Sequence, residues 1–168
     1  MSKKYRVGII GCGNIFPMHA VSVDQNENAE LVAVCDNKED RAKERAKEFG
    51  VDYYFDYKKM IDNADIDVVH VCTPHYLHAP MTIYACNAGK DVLTEKPMAI
   101  KLEDAEKMVE AAEDNNVTLG VIFQNHYNPG SVLIKETLES GELGQILSGK
   151  LSVTWDRSDE YYTKSDWK

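Results

Sequence analysis

Tyr5-Arg6-Val7-Gly8-Ile9-Ile10-Gly11-Cys12-Gly13-Asn14-Ile15-Phe16 is a short apolar run that breaks into a glycine turn. A helix-length segment follows to about Gln25, then a second apolar run, Leu31-Val32-Ala33-Val34-Cys35, and then an acid, Asp36. The order is strand, turn, helix, strand, carboxylate. Gly11 permits a sharp exit from the strand, and Gly13 lets a ligand approach the backbone closely. The new helix aims unpaired N–H groups and its positive dipole end at the same spot, which suits a pyrophosphate. Asp36 lies 25 residues beyond Gly11, near the spacing of a carboxylate that holds a ribose diol. The third position of G-x-G-x-x-G is Phe16, so the packing of helix on strand there must be looser or rearranged.

Outward from this stretch the same rhythm repeats. Lys38 to Gly50 reads as a helix with Ala42, Ala46 and Phe49 on one stripe and Gly50 as its stop. Val51–Phe55 is a short strand and Tyr57–Asp62 one or two helical turns. Asp67–Cys72 is apolar almost throughout, as a strand covered on both faces should be, and Thr73-Pro74 ends it. Leu77–Ala88 is helical, Asp91–Thr94 is a strand closed by Glu95-Lys96-Pro97, Leu102–Asn115 is an amphipathic helix, and Thr118–Phe123 is a sixth strand. Strands alternating with helices predict an α/β fold, a doubly wound parallel sheet, because each parallel connection needs a crossover.

After Gln124 the pattern changes. Gln124-Asn125-His126-Tyr127-Asn128-Pro129-Gly130 is a polar, turn-rich junction, and Ser131–Ser140 reads as a helix. From Ile146 to Trp155 apolar and polar residues alternate, which predicts a strand with one wet face. Asp156–Lys168 is charged and aromatic with no stop signal. The expected organisation is one domain over 1–124 and, over 125–168, a junction and the first helix and strand of a truncated α+β domain.

Bulk properties narrow the classes. The chain has 168 residues, 43% hydrophobic and 28% charged, which suits a globular protein. A net charge of −9 argues against a nucleic-acid partner, since phosphate backbones need clustered cations. No apolar run approaches the ~20 residues of a membrane span, and Met1-Ser2-Lys3-Lys4 shows no signal-peptide pattern. Cys12, Cys35, Cys72 and Cys86 are scattered through apolar runs, so buried thiols in a reducing cytoplasm are expected.

Several of these pieces together resemble the glucose-fructose oxidoreductase/inositol dehydrogenase/rhizopine-catabolism (Gfo/Idh/MocA) family of NAD(P)-dependent oxidoreductases. They are Gly11-Cys12-Gly13-Asn14-Ile15 with His19-Ala20, Asp36, Thr73-Pro74 with His78, Glu95-Lys96-Pro97, and Asn125-x-x-Asn128-Pro129. The most specific is Glu95-Lys96-Pro97 at the end of the fifth strand, in order with Thr73-Pro74 at the end of the fourth. The resemblance implies a Rossmann domain, NAD or NADP as cofactor, a sugar or polyol as substrate and a homo-oligomer; from the residue pattern itself no metal is expected. It implies that Gly11, Cys12, Gly13, Asn14, Ile15, Phe16, Asp36, Cys72, Thr73, Pro74, His78, Glu95, Lys96, Pro97 and Gln124 surround the cofactor. It gives Lys96 the catalytic part, polarising or deprotonating a sugar hydroxyl, and allows a cis bond before Pro97. The family's second domain carries an Asp and a His that serve proton transfer, and no residue here takes either part. His126 stands where family members often have arginine, which leaves the role of that position open.

Other readings stand beside these. Asp36 favours NAD by repelling a 2′-phosphate, with Lys38 and Arg41 near enough to blunt the effect, and it also suits a helix N-cap. Glu95 fits a hydrogen-bonding scaffold as well as a site residue, and Lys96 fits a surface lysine. Cys72, His75 and His78, with His70 and His126, offer metal-ligand types, but Pro74 and the helix start separate them. His75 and His78 line the cleft or cap the helix. Against a dehydrogenase stand a cofactor-binding sensor or structural subunit without turnover, and a methyltransferase on the same kind of sheet.

Overall fold

A computed structural model describes residues 4–163 of the protein. Six strands form one parallel sheet: β1 (Tyr5–Ile10), β2 (Ala29–Cys35), β3 (Asp52–Tyr54), β4 (Val68–Val71), β5 (Asp91–Thr94) and β6 (Leu119–Val121). Their spatial order is β3-β2-β1-β4-β5-β6. The sheet therefore grows one way from β1 and then the other, so the crevice outside the strand ends opens between β1 and β4. The connecting helices are α1 (Phe16–Asp24), α2 (Glu39–Phe49), α3 (Tyr57–Asn63), α4 (His78–Asn87) and α5 (Leu102–Asp114). Each strand and helix of this part lies where the sequence predicts it, within a few residues at the ends.

Burial follows from the side-chain period of two along each strand. Val7 and Ile9 of β1 and Val34 of β2 face α1 and α2, packing with Phe16, Ala20, Val23 and Ala46. Ile10, Ala33, Cys35, Val69, Val71 and Val92 face the other way, onto Met60 and Ile61 of α3, Met81 and Ala85 of α4, and Ala111 and Ala112 of α5. Phe16, in the third glycine position, is fully buried and meets Phe49 edge-on at 5.7 Å between ring centroids. The packing there is rearranged around a large ring, not loosened. Gly50 ends α2 at φ +68, the left-handed C-cap its position predicts. All four cysteines are free and buried; burial pushes the Cys12 and Cys35 thiols up to about 12.

The chain divides into two compact units, one up to Ile122 and one from Phe123. The second holds a short 3-10 turn, Gln124–Tyr127, then α6 (Pro129–Glu139) and α7 (Asp159–Thr163). One expectation fails here. Ile146–Trp155 is irregular, not a strand, with Leu147 and Leu151 87% and 89% exposed. A strand exists through its ladder, and the sheet has no seventh strand among the described residues. Alternation alone does not supply one. Of the charged stretch Asp156–Lys168, the part beyond Thr163 lies outside the described residues, as do Met1, Ser2 and Lys3.

Candidate functional site

Register places the chemistry. Ile10 pairs with Cys35 and with Val71, and Val71 pairs with Thr94. The ladder runs one residue further: Gly11 N–H donates to Cys35 O at 2.7 Å, Cys72 N–H to Ile10 O at 2.7 Å, and Glu95 N–H to Val71 O at 3.0 Å. Gly11, Asp36, Cys72 and Glu95 therefore stand in one row across the C-terminal edge of the sheet.

At the left of this row is the glycine turn. Gly11 has φ +98, and a Cβ there would lie 2.5 Å from Cys72 O, so no other residue fits. A Cβ on Gly13 would meet nothing nearer than Arg41 Nη1 at 3.8 Å, which leaves the backbone open to approach. The helix that follows, α1, has no side-chain cap, and Pro17 removes one of its orphan donors. Asp36 is buried at the turn: Oδ2 accepts the Cys12 N–H at 2.9 Å and Oδ1 accepts the Lys38 N–H at 2.9 Å. The N-cap of α2 is Lys38, so Asp36 ties the chain just ahead of that helix and does not cap it. Arg41 Nη1 stands 3.6 Å from Asp36 Oδ2. A carboxylate has about four acceptor positions, so capacity remains at Asp36 for a diol.

To the right, two corners are joined by one ring. His78 is fully buried. Its Nδ1 lies 2.7 Å from Pro97 O and its Nε2 2.9 Å from Thr73 O, so the ring ties the Thr73-Pro74 corner to the Glu95-Lys96-Pro97 corner. The Lys96–Pro97 bond is cis. Lys96 itself is exposed, while the Thr73 hydroxyl is buried with no partner. Glu95 sits between: Oε1 lies 3.2 Å from His19 Nε2, and Oε2 accepts the Lys96 N–H at 3.1 Å. The His19 hydrogen bond, more than the Lys96 backbone N–H, holds the Glu95 carboxyl below its ordinary range, against a burial that raises it. His19 is buried on α1, and its Nδ1 lies 3.2 Å from Nδ1 of His70 on β4. Burial, and then His19, lower His70 to about 4.

These features fit a dinucleotide. A glycine turn without side chains, an uncapped helix start, a buried carboxylate at the end of β2 and an orphaned hydroxyl at the end of β4 line one edge of the sheet. Residues 5–123 match the oxidoreductase family with an NAD-binding Rossmann fold. The chain belongs to the Gfo/Idh/MocA family. It is 32% identical over 141 residues to the myo-inositol 2-dehydrogenase of Thermotoga maritima, covering 83% of this chain and 42% of that protein. The WlbA dehydrogenase of Bordetella pertussis, solved with NADH and UDP-GlcNAcA, matches at 33% identity with a TM-score of 0.95, over 99% of this chain and 48% of that one. The myo-inositol 2-dehydrogenase of Lactobacillus plantarum matches at 31% identity with a TM-score of 0.80, over 86% of this chain and 43% of that one. This chain spans about half the length, or less, of these relatives.

With the family in hand, each predicted site residue has a place. Gly11, Cys12, Gly13, Asn14, Ile15 and Phe16 form the turn and enter α1, and Asp36, Thr73, Pro74, Glu95, Lys96 and Pro97 follow the ends of β2, β4 and β5. Cys72 and His78 are buried behind the edge, and both His78 ring nitrogens already face carbonyls. Gln124 opens the 3-10 turn of the second unit. His75 is half-buried, its pKa lowered by burial and then by His78 and Lys96. No three metal-ligating side chains converge among the described residues. The contacts that sequence reasoning missed are His19 with His70 and His19 with Glu95. Alternation puts His70 of β4, Cys72 just past it and Glu95 just past β5 on the face opposite Val69, Val71 and Val92, but it does not say which helix covers that face.

Proposed function

We propose that this chain is the cofactor-binding part of an NAD(H)-dependent oxidoreductase acting on a secondary hydroxyl of a sugar or polyol. The nicotinamide, when bound, supplies the hydride donor or acceptor. The chain supplies the rest of its half of the site. Gly11 and Gly13 admit the pyrophosphate to the backbone of Cys12, Asn14, Ile15 and Phe16, and Asp36 accepts from the ribose diol. Thr73 and Pro74 lie against the ribose and nicotinamide, with Cys72 and His78 as their support. Lys96 reaches the substrate hydroxyl and takes part in its deprotonation, while Glu95 and Pro97 hold its backbone; the family resemblance assigns Gln124 to the cofactor as well. The observation that carries this reading is the buried, unpartnered Thr73 hydroxyl, one residue past the row of Gly11, Asp36, Cys72 and Glu95.

Residues 1–124 form the NAD(P)-binding domain in this reading and 125–168 begin the substrate and oligomerisation domain; the separation of two units at Ile122 and Phe123 supports it. The Asp and His implied by the family resemblance have no counterpart here, so this chain alone turns over no sugar. The working protein is a cytoplasmic homo-oligomer, and no helix among the described residues is long and apolar enough to cross a membrane. A narrower reading makes the substrate a nucleotide-linked sugar, because the likeness to WlbA runs over 99% of the chain, against 86% for the inositol enzyme.

Fluorescence titration with NADH and NADPH tests the site. NADH is expected to bind more tightly, and Asp36→Ala to lose about tenfold of NADH affinity while narrowing the preference, as loss of a charged hydrogen-bond acceptor predicts. Equal affinities in the unaltered chain, or no effect of Asp36→Ala, would refute the assignment of Asp36.

A further inference from the structure

We propose that His19 is a positioning residue for Lys96: its Nε2–H holds Glu95, Glu95 holds the Lys96 backbone N–H, and His70 fixes which nitrogen of His19 faces the carboxylate. The inference rests on the reading of Lys96 given above.

Glu95 has two carboxylate oxygens with separate partners. Oε1 faces His19 Nε2 at 3.2 Å, and Oε2 accepts the N–H of Lys96 at 3.1 Å. An ionised carboxylate only accepts, so the Nε2 of His19 must carry a proton. A neutral His19 then has a bare Nδ1, which His70 Nδ1, 3.2 Å away, satisfies by donating. The rings meet edge-on at 5.3 Å between centroids. If a proton is added to the pair, His19 donates from both nitrogens and His70 accepts. In both states the Nε2–H still points at Glu95. The one arrangement that would turn a lone pair toward the carboxylate needs a proton on His19 Nδ1 and none on Nε2. That arrangement sets a lone pair of His19 against the Glu95 carboxylate, and His70 donating to Nδ1 opposes it as well.

The Glu95 side chain is 12% exposed and that of His19 4%, so the bond is shielded from water. Fixing both oxygens of Glu95 fixes the Glu95–Lys96 peptide plane, and with it the direction in which the exposed Lys96 side chain leaves the backbone. The other side of the same corner is held by His78 on Pro97 O. Two histidines from two helices, α1 and α4, thus clamp the three-residue corner that carries the lysine. The hydrogen-bond partners of His19 are Glu95 and His70, not Lys96, so its action on Lys96 passes through Glu95.

The test reads Lys96 directly. The protein is labelled with an amine reagent, with and without NADH, and the label at Lys96 is compared by peptide mass with that at Lys107 and Lys135, which are exposed elsewhere. NADH is expected to protect Lys96 in the unaltered protein. His19→Leu should lose that protection about fivefold, as removal of a partner from a shielded carboxylate predicts, while His19→Gln, which still offers an N–H, should keep most of it. Protection retained in His19→Leu, or lost equally in both variants, overturns the inference and leaves the reading of Lys96 standing. No protection by NADH in the unaltered protein overturns that reading and the inference with it. Should His19→Leu not fold, imidazole ¹⁵N spectra of the unaltered protein decide: a proton on His19 Nε2 is the expected result, and a proton on Nδ1 alone refutes the inference.

Discussion

The two units of this chain contain similar side chains and put them to different uses. Up to Ile122, the apolar residues of each strand and helix are shared between two faces of one sheet, and Ile9, Phe16, Met60, Val69, Val71 and Met108 are at or near complete burial. From Phe123 onward no described residue is buried; Leu133, Leu151 and Trp155 are 63%, 89% and 71% exposed. An apolar residue stabilises a fold only through the surface it is removed from water against. In the first unit each strand has a neighbour and a covering helix. In the second, α6 keeps its helix, because its hydrogen bonds are local, whereas the alternating stretch after it has no ladder to join.

This contrast can be broken from either side. The largest effect is expected from Phe16→Ala, which empties a fully buried ring site between α1 and α2 and should cost about 4 kcal/mol. Leu151→Ala, the same kind of truncation in the second unit, should change stability by no more than about 0.5 kcal/mol. Urea unfolding followed by far-UV circular dichroism compares the two; a similar cost for both would mean that Leu151 has a cover the described residues do not show.

Backbone space gives the next test. Gly11→Ala forces a Cβ onto Cys72 O and a left-handed φ on alanine, so a loss of about 3 kcal/mol and of NADH binding is expected. Gly149→Ala, with nothing near its Cβ, should be neutral or nearly so. Thermal denaturation and an NADH titration of both variants settle the point.

A smaller effect should come with acid. His70 titrates at about 4 in the fold because of burial and His19, below the ~6.5 of an unfolded chain. Between these values the unfolded state binds more protons, so stability is full above pH ~6.5 and falls as pH drops toward about 4, by about 2 kcal/mol after allowance for partial exposure. His70→Phe should flatten that slope, measured as urea midpoints between pH 7 and pH 4.5. Smallest is the effect of removing residues from Ile146 on. This should leave the midpoint of the first unit within about 0.5 kcal/mol and reduce any concentration-dependent mass in light scattering, since exposed apolar residues there are the natural seat of chain association.

The division between what the sequence reveals and what it hides follows the same line. Six strands and their helices are legible because each is a local pattern with a stop, such as Gly50 or Thr73-Pro74. Gly11, Asp36, Thr73 and Glu95 are legible as site residues because parallel strands put their ends on one edge. The His70–His19–Glu95 chain is not, because it depends on which helix covers which face, and nothing local in Val68-Val69-His70-Val71 says that α1 brings a histidine opposite. His78 reads as a cleft residue until its two carbonyl neighbours, five and nineteen positions away, are seen. The strand expected over Ile146–Trp155 fails for the converse reason: its pattern is local, and its existence is not.

The row formed by Gly11, Asp36, Cys72 and Glu95 also governs where the chain can change length. An extra residue inside β4 would carry His70 and Cys72 to the opposite face and push Thr73 past the edge. The same insertion in β1 would displace the glycine turn from Cys72 O. An extra residue between α2 and β3, or at Gly89, where no atom lies within 4 Å of an added Cβ, would move no member of the row. Variation in length should therefore collect at the N-terminal edge of the sheet, and the opposite edge should keep its spacing.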